Sequence, residues 1–197
     1  MNGETVNFNL DDNAMTYTQL PNRMQQWFEY NYTERRFASL PYDSLVILPM
    51  LASINGYQVV FAEADVYDYP GIYLRRDGSG LRGDFAYFPA TERPEDRGNK
   101  IYVDKRESFM TQNAGCRSFP WRVVATYDAE KELLSSELIW LLGSKEDADA
   151  DFSWIRPGKV LWDWWNCWNV YGVDFSAGIN TDTYRYLIDY AARHGIE

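Results

Sequence analysis

The segment from Trp154 to Phe175 constrains this chain most, because it sets five tryptophans (Trp154, Trp162, Trp164, Trp165, Trp168) within fifteen residues, beside Asp163, Asn166 and Asn169. Flat apolar faces next to amides and carboxylates suit a sugar, whose ring has an apolar C–H face and a rim of hydroxyls. A tryptophan-rich corner of an ordinary core has the same composition, so the segment alone leaves both readings open. Downstream, Tyr184, Leu187, Ile188 and Ala191 fall at the i, i+3, i+4, i+7 spacing of one helix face. Asn180 or Thr181 can cap the start of that helix and Gly195 its end. The predicted order is a strand over about Lys159 to Trp164, a long loop, and an amphipathic helix. One strand and one helix cannot bury their apolar faces, so the pattern predicts the first unit of a parallel α/β array that continues past Glu197.

The 197 residues are 46% hydrophobic, enough for a real core. Nineteen basic residues against twenty-nine acidic ones give a net charge of −10. A negative field of that size repels phosphate backbones and anionic membrane surfaces, whereas a neutral carbohydrate is indifferent to it. No apolar stretch approaches the roughly 20 residues needed to cross a bilayer. Met1-Asn-Gly-Glu-Thr5 lacks the basic and apolar regions of an export signal. The chain is therefore cytoplasmic, or any export signal lies outside it. Cys116 and Cys167 are too few for a disulfide framework and lack metal-ligand spacing, so both are expected to be free thiols.

Ahead of the tryptophan-rich segment the pattern is one of short strands. Leu45 to Ser53 and Tyr57 to Glu63 flank Asn55-Gly56, the strongest short hairpin signal, and Pro49 places the first run at an edge or beside a bulge. Further runs at Gly71 to Arg75, Leu81 to Phe88, Lys100 to Met110 and Ser118 to Tyr127 are separated by polar turn clusters. Regular short strands of this kind predict a β-sandwich. Asp128 to Leu142 fits a helix, or a turn with a last strand at Glu137 to Leu142. Gly143 to Asp151 is polar and acidic, the natural linker. The organisation expected is a sandwich over residues 1–142, a linker over 143–156, and the strand–helix unit over 157–197. Residues 1 to about 30 show only weak periodicity and read as a ragged start.

From about Tyr30 to Glu197 the sequence resembles glycoside hydrolase family 97, bacterial α-glucosidases and α-galactosidases typified by starch-utilisation enzymes of gut Bacteroidetes. The resemblance rests on Asn31-Tyr-Thr-Glu-Arg-Arg-Phe37, Ala62-Glu-Ala-Asp65 with Asp68-Tyr-Pro-Gly71, Thr111-Gln112, and Phe119-Pro-Trp-Arg-Val123. Above all it rests on Pro157-Gly-Lys-Val-Leu-Trp-Asp-Trp-Trp-Asn166 with Gly172-Val-Asp174. It implies a mainly β chain: a galactose-mutarotase-like β-sandwich followed by the first β/α unit of a truncated (β/α)8 barrel, a fold of eight such units.

The resemblance also implies that terminal α-linked glucose or galactose is cleaved from oligosaccharides by two carboxylates on later barrel strands, so no catalytic residue is assigned within this chain. It implies a calcium ion to which Glu63 contributes from the sandwich as a half-site, since calcium takes six to eight oxygen ligands. Trp162, Asp163 and Asn166 are the expected pocket wall and hydroxyl contacts, at the barrel face where active sites are built. Cys167 stands where many relatives are expected to carry a polar or acidic residue. A missing barrel region, or self-association, would cover the C-terminal helix, and the location implied is periplasmic or at the outer membrane. The alternative is a non-catalytic carbohydrate-binding or domain-interaction protein.

Overall fold

The computed structural model describes residues 4, 6–24, 30–95, 100–145 and 149–196; the side chain of Asn166 also lies outside the described residues. In chain order the strands are β1 (Asn7–Asn9), β2 (Met15–Thr18), β3 (Thr33–Arg36), β4 (Leu45–Val46), β5 (Met50–Ile54) and β6 (Tyr57–Ala64). They continue with β7 (Ile72–Asp77), β8 (Gly80–Phe85), β9 (Pro89–Pro94), β10 (Ile101–Arg106) and β11 (Trp121–Tyr127). Two helices follow, α1 (Leu138–Leu142) and α2 (Thr181–His194). By compactness the chain divides into two units, Met1–Lys145 and Glu146–Glu197.

In the first unit all strand pairs are antiparallel. A four-stranded sheet runs β1-β8-β7-β4, a five-stranded sheet runs β11-β6-β5-β2-β3, and β9 pairs with β10 as a separate ribbon. Alternate residues of a strand face opposite sides of its sheet. Met50, Ala52 and Phe61 of the five-stranded sheet, and Ile72, Leu74, Leu81 and Phe85 of the four-stranded one, therefore join one buried cluster with Phe37, Leu40, Val46 and Met110. This is the sandwich core that the strand pattern predicts.

The Asn55-Gly56 hairpin forms as expected, with φ of 51° and 87° at the two turn residues. Positive φ at both central positions is what a type I′ turn requires. The part of the first run ahead of Pro49, Leu45–Val46, is an edge strand of the four-stranded sheet as expected, whereas Met50–Ile54 lies inside the five-stranded one. Leu45–Val46 pairs with β7 in one sheet while Met50–Ile54 pairs with β6 in the other, so Ile47 to Pro49 is where the chain crosses between sheets. The ragged start is a correction. β1 and β2 pair with β8, β3 and β5, and were hidden because three- and four-residue strands show too few alternations to be recognised. After β11 a 3-10 turn (Glu130–Ser135) leads into α1, and no strand follows over Glu137 to Leu142. Leu138 and Leu142 pack on Ala62, Ala64 and Val123, on the outer face of the five-stranded sheet.

In the second unit α2 starts where the capping pattern placed it. Asn180 Oδ1 accepts from the Thr183 backbone N–H at 3.0 Å, and Gly195 ends the helix with φ of 60°. The strand over Lys159 to Trp164 is not there. Those residues are irregular as far as a 3-10 turn over Asp163–Asn166. A strand exists only by pairing with a neighbour, and the described residues offer this segment none.

Candidate functional site

Two clusters of polar side chains bear on function, one in each unit. In the first, β6 carries Glu63 on the same face as Val59 and Phe61, so its carboxylate points toward the sandwich interior. The ladder sets Arg122 of β11 directly opposite Glu63. Arg122 pairs with Glu63 through Nη1 and with Glu4 through Nη2 at 2.8 Å. The Glu63 and Arg122 side chains are each only 15% exposed.

The loop between β6 and β7 completes this cluster. Asp65 and Asp68 both adopt left-handed backbone, at φ 59° and 47°, as the chain turns from one sheet to the other. Aspartate is among the few residues that tolerate that conformation. Ser144 N–H donates to Asp65 at 2.7 Å, and Arg117 donates to the Tyr67 carbonyl at 3.2 Å. The loop thereby delivers the Ile72 backbone N–H to Glu63 Oε1 at 2.8 Å. Burial pushes the Glu63 carboxyl above the usual glutamate range, against the opposing pull of the Ile72 N–H and Arg122. Tyr69, beneath the guanidinium groups of Arg117 and Arg122, is pushed up to about 12 by burial and by its hydrogen bond to Glu4.

Oε1 of Glu63 is anchored, while Oε2 lies toward Gly71, where an added Cβ would come within 3.3 Å of it. Glycine at that position keeps the space beside Oε2 open. Among the described residues no group of three or more His, Cys, Asp or Glu side chains could hold a metal ion. Calcium takes six to eight oxygen ligands, so the described residues hold no complete calcium cage and Glu63 is at most one of its ligands.

The second cluster centres on Asp163. Its Oδ1 accepts from the Trp164 backbone N–H at 2.9 Å, and its Oδ2 accepts from Tyr184 Oη at 2.7 Å and from Trp168 Nε1 at 3.1 Å. The hydrogen bond from Tyr184 leads the causes that hold this carboxyl below the usual aspartate range. The tryptophans do not alternate from side to side as a strand would have arranged them. In the 3-10 turn, the Trp162 ring lies 5.5 Å from Trp164 and 6.0 Å from Trp165, all three on one cluster. Trp162, Asp163 and Trp165 line a groove of about 790 Å³ that Tyr186, Leu187 and Tyr190 of α2 also line. Asn166 lies in the same turn.

A second groove of about 400 Å³ lies over the outer face of the five-stranded sheet, lined by Tyr17, Leu51, Val60, Val123, Tyr127 and Ile139. It contains no carboxylate, and the Asp163 carboxylate is occupied by three internal donors. Neither groove therefore presents the pair of free carboxyl groups that glycoside hydrolysis needs. Sequence reasoning singled out Glu63 and Asp163 but missed their partners. Arg122 stands 59 residues from Glu63, and Tyr184 stands 21 residues from Asp163. Cys116 and Cys167 are free and exposed, as expected. No described helix is long and apolar enough to cross a membrane.

Comparison with known proteins follows the same outline. The family model described as glycosyl-hydrolase 97 N-terminal matches residues 1–144. A retaining alpha-galactosidase of Bacteroides thetaiotaomicron is 36% identical over 174 residues, which is 86% of this chain and 26% of that protein. Two solved structures of a glycoside hydrolase family 97 enzyme from a Pseudoalteromonas species, one in complex with acarbose and a variant in complex with panose, superpose with TM-scores of 0.66 and 0.67. Each is 22% identical and covers 97% of this chain and 27% of its own. The chain spans about a quarter of the length of these relatives. With the motifs, the sandwich and the family model in agreement, this chain belongs to glycoside hydrolase family 97.

Proposed function

We propose that this chain is the sandwich portion, with the start of the catalytic barrel, of a calcium-dependent exo-glycosidase that removes terminal α-linked galactose or glucose from oligosaccharides. The observation that carries the reading is the 36% identity to a retaining alpha-galactosidase across nearly the whole chain. The acarbose and panose complexes of the structural neighbours support α-glucosides as the second substrate class. The acid and nucleophile or base would be glutamates outside this chain, since Glu63 and Asp163 are both committed to internal partners.

Within that reading Glu63 would supply one calcium ligand, its orientation set by Arg122 and the Ile72 N–H. Bound calcium would supply positive charge near the reacting sugar. Trp162 would offer a stacking face, and Asp163 and Asn166 would flank it as polar contacts. A periplasmic or outer-membrane location belongs to the same proposal.

The test is an assay of the gene-length protein on p-nitrophenyl α-galactoside and α-glucoside, with and without chelator. Turnover that is lost with chelator and restored by calcium is expected, and the 197-residue chain alone should show none. Turnover by the isolated chain would overturn the assignment of catalysis elsewhere. Chelator-resistant turnover would remove calcium.

A further inference from the structure

We infer that Asp163 is a positioning residue, the carboxylate that fixes the aromatic groove of the second unit by joining the tryptophan turn to helix α2. The inference rests on the reading of that groove as part of a carbohydrate site, and its geometry stands independently of that reading. Three donors from three directions meet on one side chain: the Trp164 amide within the turn, the Trp168 indole at the turn's end, and the Tyr184 hydroxyl on α2. The Asp163 backbone carbonyl also accepts from the Trp168 N–H at 3.0 Å.

These bonds hold an expensive conformation. Cys167 and Trp168 both have φ of 56°, and consecutive non-glycine residues in the left-handed region persist only where their surroundings impose it. Little else in this unit can impose it, since Thr183 is its only buried side chain among the described residues. The two walls of the groove depend on the same junction. Trp162 immediately precedes and Trp165 belongs to the turn that Asp163 opens, while Tyr186, Leu187 and Tyr190 follow Tyr184 along α2. A carboxylate has about four acceptor positions, and three are in use. Its first effect on a bound sugar is therefore through the placement of the aromatic walls.

The experiment is a nitrogen–proton NMR spectrum of the indole N–H groups in the 197-residue chain, with the Trp168 signal identified by its loss in Trp168→Phe. In the unaltered chain that signal should lie at the position of a bonded indole and move when Asp163 is protonated in acid. Asp163→Ala should shift it to the exposed-indole position, and Asp163→Asn, whose amide oxygen still accepts, should restore it in part. Tyr184→Phe leaves the turn's own bonds in place, so the signal should stay bonded while the acid midpoint rises, a donor to the ionised carboxylate having been removed. An unchanged Trp168 signal in Asp163→Ala, or an unchanged midpoint in Tyr184→Phe, would overturn the inference. Methyl α-galactoside and methyl α-glucoside added to the unaltered chain test the groove separately. Absence of any shift at Trp162 or Trp165 would remove the carbohydrate reading and leave the positioning role standing.

Discussion

Arg122 gathers two carboxylates, Glu4 and Glu63, at one end of the sandwich, so its loss strands two negative charges with little water to solvate them. Breaking a largely buried pair from one side is strongly destabilising, and Arg122→Met should lower the unfolding free energy by about 3 kcal/mol in urea denaturation. The pH dependence has a definite sign. The folded Glu63 carboxyl sits above its ordinary value, so the folded state binds the extra proton and this group's contribution is lost as pH rises through the raised value. Asp163 behaves oppositely: its folded carboxyl sits below the ordinary value, and its contribution is lost as pH falls through the lowered one. Glu63→Gln should therefore flatten the decline in stability as pH rises above the ordinary glutamate range, followed by thermal unfolding. An identical pH profile would take Glu63 out of the buried pair. The residue types at both clusters were legible in the sequence, as motif members. Their partners were not, because pairing Glu63 with Arg122 depends on the β6–β11 register, which no local pattern encodes.

At the scale of elements, what was legible was what is determined locally. The Asn55-Gly56 turn and the Asn180 and Gly195 caps each depend on a few adjacent residues, and all three form as expected. Two substitutions test them. Gly56→Ala places a side chain at φ 87° and should cost about 1 kcal/mol, read from the shift in urea midpoint. Asn180→Ala removes the acceptor for the Thr183 N–H and should cost about 1 kcal/mol of α2 stability, read from amide exchange along the helix. Elements that need distant partners were the ones missed. β1 and β2 are too short to show a period, and β9 carries Pro89 and Pro94 at its ends, which read as turn signals. The predicted strand over Lys159 to Trp164 has the right composition and no described neighbour to pair with.

At the scale of the whole molecule, the sandwich core draws on both sheets and is well buried, while the second unit leaves large apolar side chains in solvent. Trp165 is 81% exposed, Tyr171 82% and Ile188 65%. Exposed apolar area of that kind marks a surface that binds something or packs against something. Family 97 membership accounts for it if the chain continues into a barrel whose later strands pair with this segment and carry the catalytic carboxylates. The most direct test is to read the gene past the codon for Glu197. The account predicts that the frame continues into a hydrophobic strand and further strand–helix units with carboxylates at strand ends. A stop codon immediately after Glu197 would contradict it, and would favour a non-catalytic carbohydrate-binding protein instead.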